Sequence, residues 1–333
     1  MTALANPWSR KLPATGRGPK HGSGRPAIAL GTMNFGKRTP AGDAVRIVSR
    51  ALDRGIRIFD TANAYGDGES ERILGQALRG RRADAIITTK VGFARIQGKL
   101  EGLAPARVTA ALDESLERLG TDYIDLYYLH VPDHHTPIED TLTAIAAAFE
   151  AGKIKAFGLS NYASWQMLEC MKACDALGIQ RPRVAQQLYN LLIRQLDLEY
   201  FRFARKYEVH TSVYNPLAGG LLTGRYRHGS APAKGSRFDD NRLYQGRYWS
   251  RRMIELTDLY AEVARENGIG LIELAYAWLA GVPDVDSILV GPGSEEHLEQ
   301  ALDAVTLELT ESTRARIDAI HKDFMGTETS YAR

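Results

Sequence analysis

From Ala27 onward, the hydrophobic pattern of the chain alternates between strand-like runs and helical spacing. Short runs of β-branched and aromatic residues have the length and composition of buried strands, and apolar residues recur at intervals of three and four between them. Strands are predicted at 27–30, 57–61, 85–89, 123–130, 154–160, 184–189, 210–214 and 287–290. Helices are predicted near 43–54, 69–79, 105–119, 138–151, 163–178, 197–208, 251–280, 294–304 and 310–322.

Eight strands that alternate with helices predict a parallel sheet. In a chain of 333 residues this number fits a closed (β/α)8 TIM barrel, a single domain of the α/β class. An open doubly wound sheet is the alternative, but Leu30-Gly-Thr-Met-Asn-Phe-Gly36 after the first strand lacks the Gly-x-Gly-x-x-Gly pattern of that fold. Segment 225–249, after the seventh strand, is too long for a plain connector and is predicted to be a functional loop. The C-terminal tail is expected near the barrel mouth.

Charge and cysteine content narrow the classes of function. The 42 basic and 40 acidic side chains give a net charge of +2, which provides no general reason to expect nucleic acid or an anionic membrane as a partner. No apolar stretch is long enough for a membrane helix, and no secretory leader is expected. Cys170 and Cys174, four residues apart in a predicted helix, are expected to be reduced, which is consistent with a cytoplasmic protein.

The first 25 residues differ from the remainder of the chain. They hold five basic and no acidic side chains, are rich in Gly and Pro, and have no apolar period. We therefore expect a flexible basic arm over 1–25 and the barrel domain over 26–333. A role of the arm in binding nucleic acid or a partner is the minor alternative.

Polar and ionisable residues stand at the C-terminal ends of six consecutive predicted strands. In a closed barrel these ends form the face that carries catalytic groups. The residues are Asp60, Lys90, His130, Ser160 followed by Asn161, the pair Gln186 and Gln187, and Tyr214. Packing alone does not explain such a set, so the sequence predicts a polar active site at the barrel mouth.

Asp60, Tyr65, Lys90 and His130 together predict a proton-transfer site built around the phenol of Tyr65. A phenol is a weak acid at neutral pH, but an ammonium group about 4 Å away would attract the phenolate by roughly 4 kcal/mol at an effective dielectric constant of ~20. Lys90 could thereby lower the pKa of Tyr65 by up to about three units. Asp60 would keep the lysine charged, and His130 would share the oxygen that carbonyl reduction must protonate. Taken singly, each residue has an ordinary structural explanation, such as a helix cap or a surface lysine.

Several longer motifs contain these residues. They are Phe59-Asp-Thr-Ala-Asn-Ala-Tyr-Gly66, Thr88-Thr-Lys-Val91, Asp125-Leu-Tyr-Tyr-Leu-His130, Gly158-Leu-Ser-Asn-Tyr162, Gln186-Gln-Leu-Tyr-Asn190 and Tyr214-Asn-Pro-Leu-Ala-Gly-Gly-Leu-Leu-Thr-Gly224. With these motifs the chain resembles the aldo-keto reductase family from about Ala27 to Arg333. The resemblance implies that Tyr65 is the general acid, that Lys90 and Asp60 tune it, and that His130 orients the carbonyl.

Four further motifs indicate a branch of that family. They are His130-Val-Pro-Asp-His-His-Thr-Pro137, Leu159-Ser-Asn-Tyr-Ala-Ser-Trp165, Arg247-Tyr-Trp249 and the terminal Ser-Tyr-Ala-Arg333. They are similar to motifs of the aflatoxin-aldehyde and succinic-semialdehyde reductases. This likeness implies NADPH as cofactor and small, often carboxylated aldehydes as substrates, and it suggests a homodimer.

The resemblance assigns the nicotinamide carboxamide to Ser160, Asn161 and Gln187, with the Tyr214 ring stacked on the nicotinamide. The glycine-rich segment 215–225 is expected along the pyrophosphate, because glycine lets backbone N–H groups approach closely. The predicted cofactor-binding residues are Thr32, Met33, Asp60, Ser160, Asn161, Gln187, Tyr214, Asn215, Pro216, Leu217, Gly219, Gly220, Leu221, Gly224, Arg225, Gly291, Ser294, Glu295, His297 and Leu298.

The adenosine end departs from the branch pattern. Ser294, before the helix that follows the eighth strand, is the natural contact for the 2′-phosphate of NADPH. His297 and Ala301 replace the usual Gln and Asn, and Glu295 and Glu296 would repel a phosphate unless they point away. NADPH remains favoured over NADH.

Arginine side chains are expected to select the substrate, because a guanidinium can hold a carboxylate with two parallel hydrogen bonds. The predicted substrate-binding residues are Met33, Tyr65, His130, Arg237, Arg247, Trp249 and Arg333. No resident metal is predicted.

Two other classes of function remain open alongside reductases of ketones or sugars. Channel-associated relatives of the family suggest a redox-sensing regulatory subunit with little turnover, although segment 1–25 shows no helical period that would predict an assembly arm. A metal-dependent hydrolase on the same barrel would use His130, Asp133, His134 and His135 as ligands, but the first strand ends without His or Asp.

Overall fold

The computed structural model describes residues 24–226 and 231–326. Its strands are β1 (Ala27–Gly31), β2 (Ile58–Asp60), β3 (Ile86–Val91), β4 (Arg95–Ile96), β5 (Lys99–Leu100), β6 (Leu126–Leu129), β7 (Phe157–Ser160), β8 (Val184–Leu188), β9 (His210–Tyr214) and β10 (Ser287–Val290). Eight of them close a parallel barrel in the order β1-β10-β9-β8-β7-β6-β3-β2. The predicted (β/α)8 barrel is therefore confirmed.

The helices follow the barrel strands along the chain. They are α1 (Ala41–Asp53), α2 (Glu69–Ala77), α3 (Pro105–Leu119), α4 (Ile138–Glu150), α5 (Ser164–Leu177), α6 (Tyr200–Lys206), α7 (Arg242–Tyr248), α8 (Arg251–Glu266), α9 (Leu271–Ala280), α10 (Glu295–Ala304) and α11 (Glu311–Met325). Among the described residues, no helix is long and apolar enough to cross a membrane.

Three details differ from the sequence prediction. The single helical segment predicted over 251–280 is wrong, because Gly268 takes a φ of 68° and ends α8 before α9 begins. The predicted loop 225–249 contains α7, which closes over a cluster of aromatic rings from Tyr226, Phe238, Tyr244, Tyr248 and Trp249. A short antiparallel hairpin, β4 with β5, follows β3.

Two predicted segments fall wholly or largely outside the described residues. These segments are the tail over 327–333, which includes Arg333, and the first 23 residues of the basic arm. Of the arm, Arg25 is described, and its guanidinium lies 3.4 Å from the carboxylate of Glu308.

The barrel has an apolar interior beneath its C-terminal rim. Ala29, Ile58, Ile86, Leu126, Tyr128, Ala156, Val184 and Leu289 form this inner cluster, and a larger cluster packs the outer face of the sheet against the helices. Since successive residues of a strand face opposite sides, a residue two positions beyond an inner one also points into the barrel. This alternation decides which side chains reach the mouth.

Candidate active site

Three of the four predicted catalytic residues follow the inner apolar cluster at strand spacing. Asp60 lies two residues after Ile58, Lys90 four residues after Ile86, and His130 four residues after Leu126. The register pairs Asp60 with Thr88 across β2 and β3, and Lys90 with Tyr128 across β3 and β6. The alternation of the strands therefore turns all three side chains inward at one rim.

Lys90 and Asp60 form a buried ion pair at this rim. The Lys90 Nζ atom donates to Asp60 Oδ1 at 2.5 Å and to the backbone oxygen of Thr61 at 2.7 Å, and the lysine is 0% exposed. The second carboxylate oxygen of Asp60 accepts from the Thr88 hydroxyl at 2.7 Å and from Gln186 Nε2 at 2.9 Å. Burial lowers the pKa of Lys90, and the neighbouring Asp60 charge opposes this effect. The carboxylate thus fixes the lysine in one position.

Tyr65 lies in the loop between β2 and α2, above the ion pair. The Lys90 Nζ atom is 5.2 Å from the centroid of the Tyr65 ring, and the His130 ring meets it edge to face at 5.8 Å between centroids. The structure therefore brings the four predicted catalytic residues together at one rim of the barrel.

The predicted lowering of the Tyr65 pKa is wrong. Burial raises the pKa of Tyr65 well above 10.0, the charge of Asp60 adds to the increase, and the charge of Arg237 opposes it. The physical reason is that burial disfavours the charged phenolate, and the Lys90 ammonium, which donates to Asp60 and to a backbone oxygen, does not offset this effect. The phenol is held protonated, which is the form that an acid requires.

His130 is a neutral imidazole at the rim. Burial lowers its pKa well below 6.5, and the charge of Lys90 lowers it further. Its backbone N–H donates to Val91, and the Phe93 ring lies 5.1 Å away between centroids. The Nδ1 atom of His130 is buried with no hydrogen-bond partner among the described residues.

The residues assigned to the nicotinamide lie on adjacent strand ends, next to His130. Asn161, at a φ of 63° just after β7, donates from Nδ2 to the His130 backbone oxygen at 2.9 Å and to Ser160 Oγ at 3.0 Å. The hydroxyl of Tyr214 donates to Asn161 Oδ1 at 2.6 Å, and Gln187 Nε2 donates to the backbone of Tyr162. The predicted carboxamide and stacking residues thus occupy one continuous patch.

The glycine-rich segment begins at Asn215, which takes a φ of 60° directly after β9. Asn215 Nδ2 is buried without a partner among the described residues, while its Oδ1 accepts from the Tyr244 hydroxyl at 3.2 Å. Gly219 and Gly220 have φ values of 69° and 107°, and a side chain added at Gly220 would meet open space. The unsatisfied Asn215 amide and the open space at Gly220 fit a polar cofactor.

The other residues of the glycine-rich segment differ in how far they are buried. Leu217 is half-buried, Pro216 is buried, and Gly224 ends the 3-10 turn at a φ of 73°. The exposed guanidinium of Arg225 donates to the Thr223 hydroxyl at 3.0 Å.

At the predicted adenosine end, Ser294 is the N-cap of α10. Its Oγ accepts the backbone N–H of His297 at 3.2 Å. The carboxylate of Glu295 lies 3.4 Å from the guanidinium of Arg46 on α1. This ion pair partly neutralises one of the two acids that would oppose a phosphate. Gly291 is exposed and adjoins Gly31 at the end of β1.

Three residues of the predicted cofactor set are parts of the core. Thr32 and Leu298 are 0% exposed and Leu221 is 1% exposed. The Thr32 hydroxyl bonds Ser70 and the backbone oxygen of Asp60. The side chains of these three residues are buried, as is that of Ser160 at 1% exposure, and their contact with the cofactor stays a prediction.

Of the predicted substrate residues, Met33 and Arg237 are in contact at the mouth, with 3.8 Å between the guanidinium and the Met33 sulfur. The guanidiniums of Arg237 and Arg247 lie 5.2 and 5.9 Å from the centroid of the Tyr244 ring. Trp249 is half-buried in the aromatic cluster, against Phe238. Arg333 lies outside the described residues.

Several supporting residues received no individual role from sequence reasoning, although Gln186 was among the predicted strand-end residues. Thr88 and Gln186 hold Asp60, and Asn190 holds the backbone of Asn215 through its Nδ2 atom at 3.0 Å. The buried Glu101 carboxylate accepts from the backbone of Gly92 at 2.7 Å and thereby fixes the loop before Phe93. The alternation of inward and outward residues along β3 and β8 could have predicted that Thr88 and Gln186 point into the barrel. Glu101 lies in a segment with no regular hydrophobic period, so the sequence offered no comparable indication.

The alternative metal site is not assembled by the predicted ligands. Asp133 accepts from the backbone N–H groups of Leu103 and His135 and from the Thr136 hydroxyl. The described residues contain no group of three or more His, Cys, Asp or Glu side chains that could hold a metal ion.

Comparison with known proteins identifies the family of the chain. Residues 27–322 match the model of the aldo/keto reductase family, and the chain belongs to this family of oxidoreductases. It is 37% identical over 298 residues to human aflatoxin B1 aldehyde reductase member 2, covering 84% of this chain and 82% of the relative. It is 35% identical over 308 residues to human aldo-keto reductase family 7 member A3, covering 84% and 88%. A probable voltage-gated potassium channel subunit beta of Arabidopsis thaliana is 31% identical over 294 residues, covering 85% and 89%.

Proposed function

We propose that this protein reduces small aldehydes to alcohols with NADPH, and that Tyr65 is the proton donor. The observation that carries the proposal is the buried pair of Lys90 and Asp60 beneath a protonated Tyr65, beside the neutral ring of His130. Two relatives whose printed names describe aldehyde or aldo-keto reductases support the same reaction class.

Each side chain has one task in the proposed reaction. The ring of His130, neutral at pH 7, donates a hydrogen bond to the carbonyl oxygen and orients it. Tyr65 gives its proton to that oxygen as negative charge develops there. The Lys90 ammonium, 5.2 Å from the centroid of the Tyr65 ring, would attract the phenolate that remains, and Asp60 keeps this ammonium in place. A nicotinamide cofactor, when bound, supplies the hydride that no side chain can supply.

The residues proposed to hold this cofactor are those of the continuous patch at the ends of β7, β8 and β9. Ser160, Asn161 and Gln187 would hold the carboxamide, and Tyr214 would face the nicotinamide ring. The unpartnered Asn215 Nδ2 atom and the glycine backbone that follows support a place for the pyrophosphate. NADPH is favoured over NADH, with Ser294 at the N-terminus of α10 as the proposed 2′-phosphate contact.

Carboxylated aldehydes such as succinic semialdehyde are the proposed preferred substrates, because arginines border the mouth. We expect Arg333→Ala to raise KM for a carboxylated aldehyde more than for a neutral aldehyde of the same length. Equal effects on both would remove the C-terminal residue from the substrate pocket.

The direct test is the loss of NADPH absorbance when succinic semialdehyde is added in the absence of added metal. Sustained multiple turnover is expected, and the same panel with ketones, sugars and NADH would define the preference. Tight cofactor binding with only very slow turnover would instead indicate a regulatory subunit, and activity lost to a chelator would indicate a hydrolase. The homodimer remains a proposal that gel filtration would test.

A further inference from the structure

The carboxylate of Glu101 is buried directly after the β4–β5 hairpin, and its side chain is 0% exposed. Its Oε1 atom accepts from the backbone N–H groups of Gly92 and Ala94 at 2.7 and 3.1 Å. Asn63 Nδ2 donates to Oε1 at 2.9 Å and to Oε2 at 3.1 Å. Arg107 Nε donates to Oε2 at 2.9 Å. Every described partner of this carboxylate is therefore a hydrogen-bond donor.

The contact with Asn63 fixes the loop that carries Tyr65. Asn63 is 6% exposed and lies two residues before Tyr65, in the loop after β2. Its backbone N–H donates to the backbone oxygen of Lys90 at 3.3 Å. Asn63 thus holds this loop to β3 through its backbone and to Glu101 through its side chain.

The contacts with Gly92 and Ala94 fix the position of Phe93, which stands between them. The backbone N–H of Glu101 donates in return to the backbone oxygen of Ala94 at 2.9 Å. The Phe93 ring lies 5.1 Å from the His130 ring between centroids. The carboxylate is therefore connected, through Phe93, to the imidazole that is proposed to orient the carbonyl.

Arg107 anchors the Glu101 carboxylate to α3. Its two terminal nitrogen atoms donate to the two carboxylate oxygens of Glu114 at 2.9 and 2.8 Å. Hydrogen bonding to Glu114 raises the pKa of Arg107, and the charge of Glu101 adds to this effect. Such a bidentate, charge-assisted contact fixes the direction of the guanidinium. The buried charge of Glu101 thus has a counter-charge whose position is determined by a helix.

We propose that Glu101 is a positioning residue, which sets the separation of Tyr65 and His130 by acting through Asn63 and Phe93. The proposal rests on the proposed aldehyde reduction and adds a residue to its machinery. The rings of Tyr65 and His130 meet at 5.8 Å between centroids. Both must reach one carbonyl oxygen, so a misplacement of about 1 Å in either costs on the order of 100-fold in rate. One carboxylate bonded to both loops makes their separation independent of the exposed hairpin at 95–100.

The test exploits the near-identical shapes of glutamate and glutamine. In Glu101→Gln an NH2 group replaces one acceptor oxygen among donors, so one of the two loops must move away. We expect kcat for butanal to fall about 10- to 100-fold, with little change in KM or in the Kd for NADPH measured by protein fluorescence. A merely structural role would lower only the folded fraction, measured by circular dichroism. An unchanged kcat per folded molecule therefore overturns the proposal.

Two further variants make the result specific. Glu114→Gln removes an outer partner of Arg107 and keeps every contact of Glu101, so kcat should stay at the wild-type value. Asn63→Asp alone brings two carboxylates together and should lower kcat. Asn63→Asp/Glu101→Gln returns an acceptor to the new amide and should recover most of the loss. The proposal is overturned if Glu114→Gln loses as much kcat as Glu101→Gln, or if the double variant recovers nothing.

Hydrogen exchange measured by mass spectrometry separates this proposal from the proposed function, because it needs no substrate. Glu101→Gln should speed the exchange of backbone amides in both peptides that cover 61–66 and 91–95, and Glu114→Gln in neither. If the wild type turns over no aldehyde, the proposed function fails, and faster exchange in both peptides retains Glu101 as the residue that fixes the two loops. Faster exchange in only one peptide, or in neither, rejects the coupling whether or not the protein is active.

Discussion

The Nζ atom of Lys90 lies 2.5 Å from Oδ1 of Asp60, and both side chains are buried inside the barrel rim. The partners of the two residues are unequal. Asp60 keeps two further donors, Thr88 and Gln186, whereas Lys90 keeps one acceptor, the backbone oxygen of Thr61. Removal of the Lys90 ammonium therefore leaves Asp60 with two hydrogen-bond donors, whereas removal of the Asp60 charge leaves Lys90 with a single acceptor.

We predict that Asp60→Asn is more destabilising than Lys90→Met. The first change leaves a buried ammonium without a counter-charge, which costs on the order of 3–5 kcal/mol, and the second leaves a carboxylate that still accepts two hydrogen bonds. Urea unfolding measures both, with the double variant Asp60→Asn/Lys90→Met expected to recover part of the loss. Equal losses, or a larger loss in Lys90→Met, would show that the extra donors of Asp60 do not matter.

The rate of the proposed reduction should be nearly independent of pH between about 6.5 and 9. The pKa of His130 is lowered well below 6.5 and the pKa of Tyr65 is raised well above 10.0, so neither group changes its charge in this range. The check is kcat against pH at saturating cofactor and a neutral aldehyde. A bell-shaped profile with an apparent pKa near 7 would contradict the assignment of these two protonation states.

The same His130 shift predicts sensitivity of the fold to acid. Because its folded-state pKa is lowered, only the unfolded chain binds the proton just below pH 6.5, and the stabilisation present above that pH is lost as the pH falls. His130→Gln should reduce the decline in the free energy of unfolding between pH 6.5 and 5 by at most about 1.4 kcal/mol per pH unit. An unchanged decline would mean that His130 is protonated in the folded state.

Packing between α2 and α3 provides a test that is independent of catalysis. A Cβ added at Gly75 would lie 2.5 Å from the backbone oxygen of Leu119, so Gly75→Ala should cost about 1–3 kcal/mol of stability. The matched control is Gly246→Ala in α7, where the added methyl group meets open space and a gain of up to about 1 kcal/mol is expected. Similar effects at both glycines would contradict the close helix contact.

The inward positions of the barrel could be read from the sequence because strands alternate with a period of two. Asp60, Lys90 and His130 each follow a buried inner residue at that spacing, so their convergence required only a closed barrel. The boundary between α8 and α9 could also have been predicted from the sequence. Asn267-Gly-Ile-Gly270 is a helix-ending signal that the broader hydrophobic pattern obscured.

The electrostatic details were not readable from the sequence. The sign of the Tyr65 pKa shift is set mainly by burial, which the sequence does not show. The Lys90 ammonium is directed to Asp60 and Thr61 at the end of the neighbouring strand β2, a contact that depends on the folded rim. The pairing of Arg38 with Arg237 joins residues about two hundred positions apart through one amide oxygen. Neither arginine lies in a segment with a regular hydrophobic period, so no sequence pattern could place the two side chains together.

The central claim is that the phenol of Tyr65 delivers the proton. Tyr65→Phe removes one hydroxyl and keeps the ring beside Lys90 and His130, so NADPH binding measured by protein fluorescence should be retained. The measurement is kcat for succinic semialdehyde in wild type and variant under identical cofactor saturation. The account predicts a loss of about 10²–10⁴-fold, the range of general acid catalysis. A variant that binds NADPH and keeps most of its turnover would contradict it.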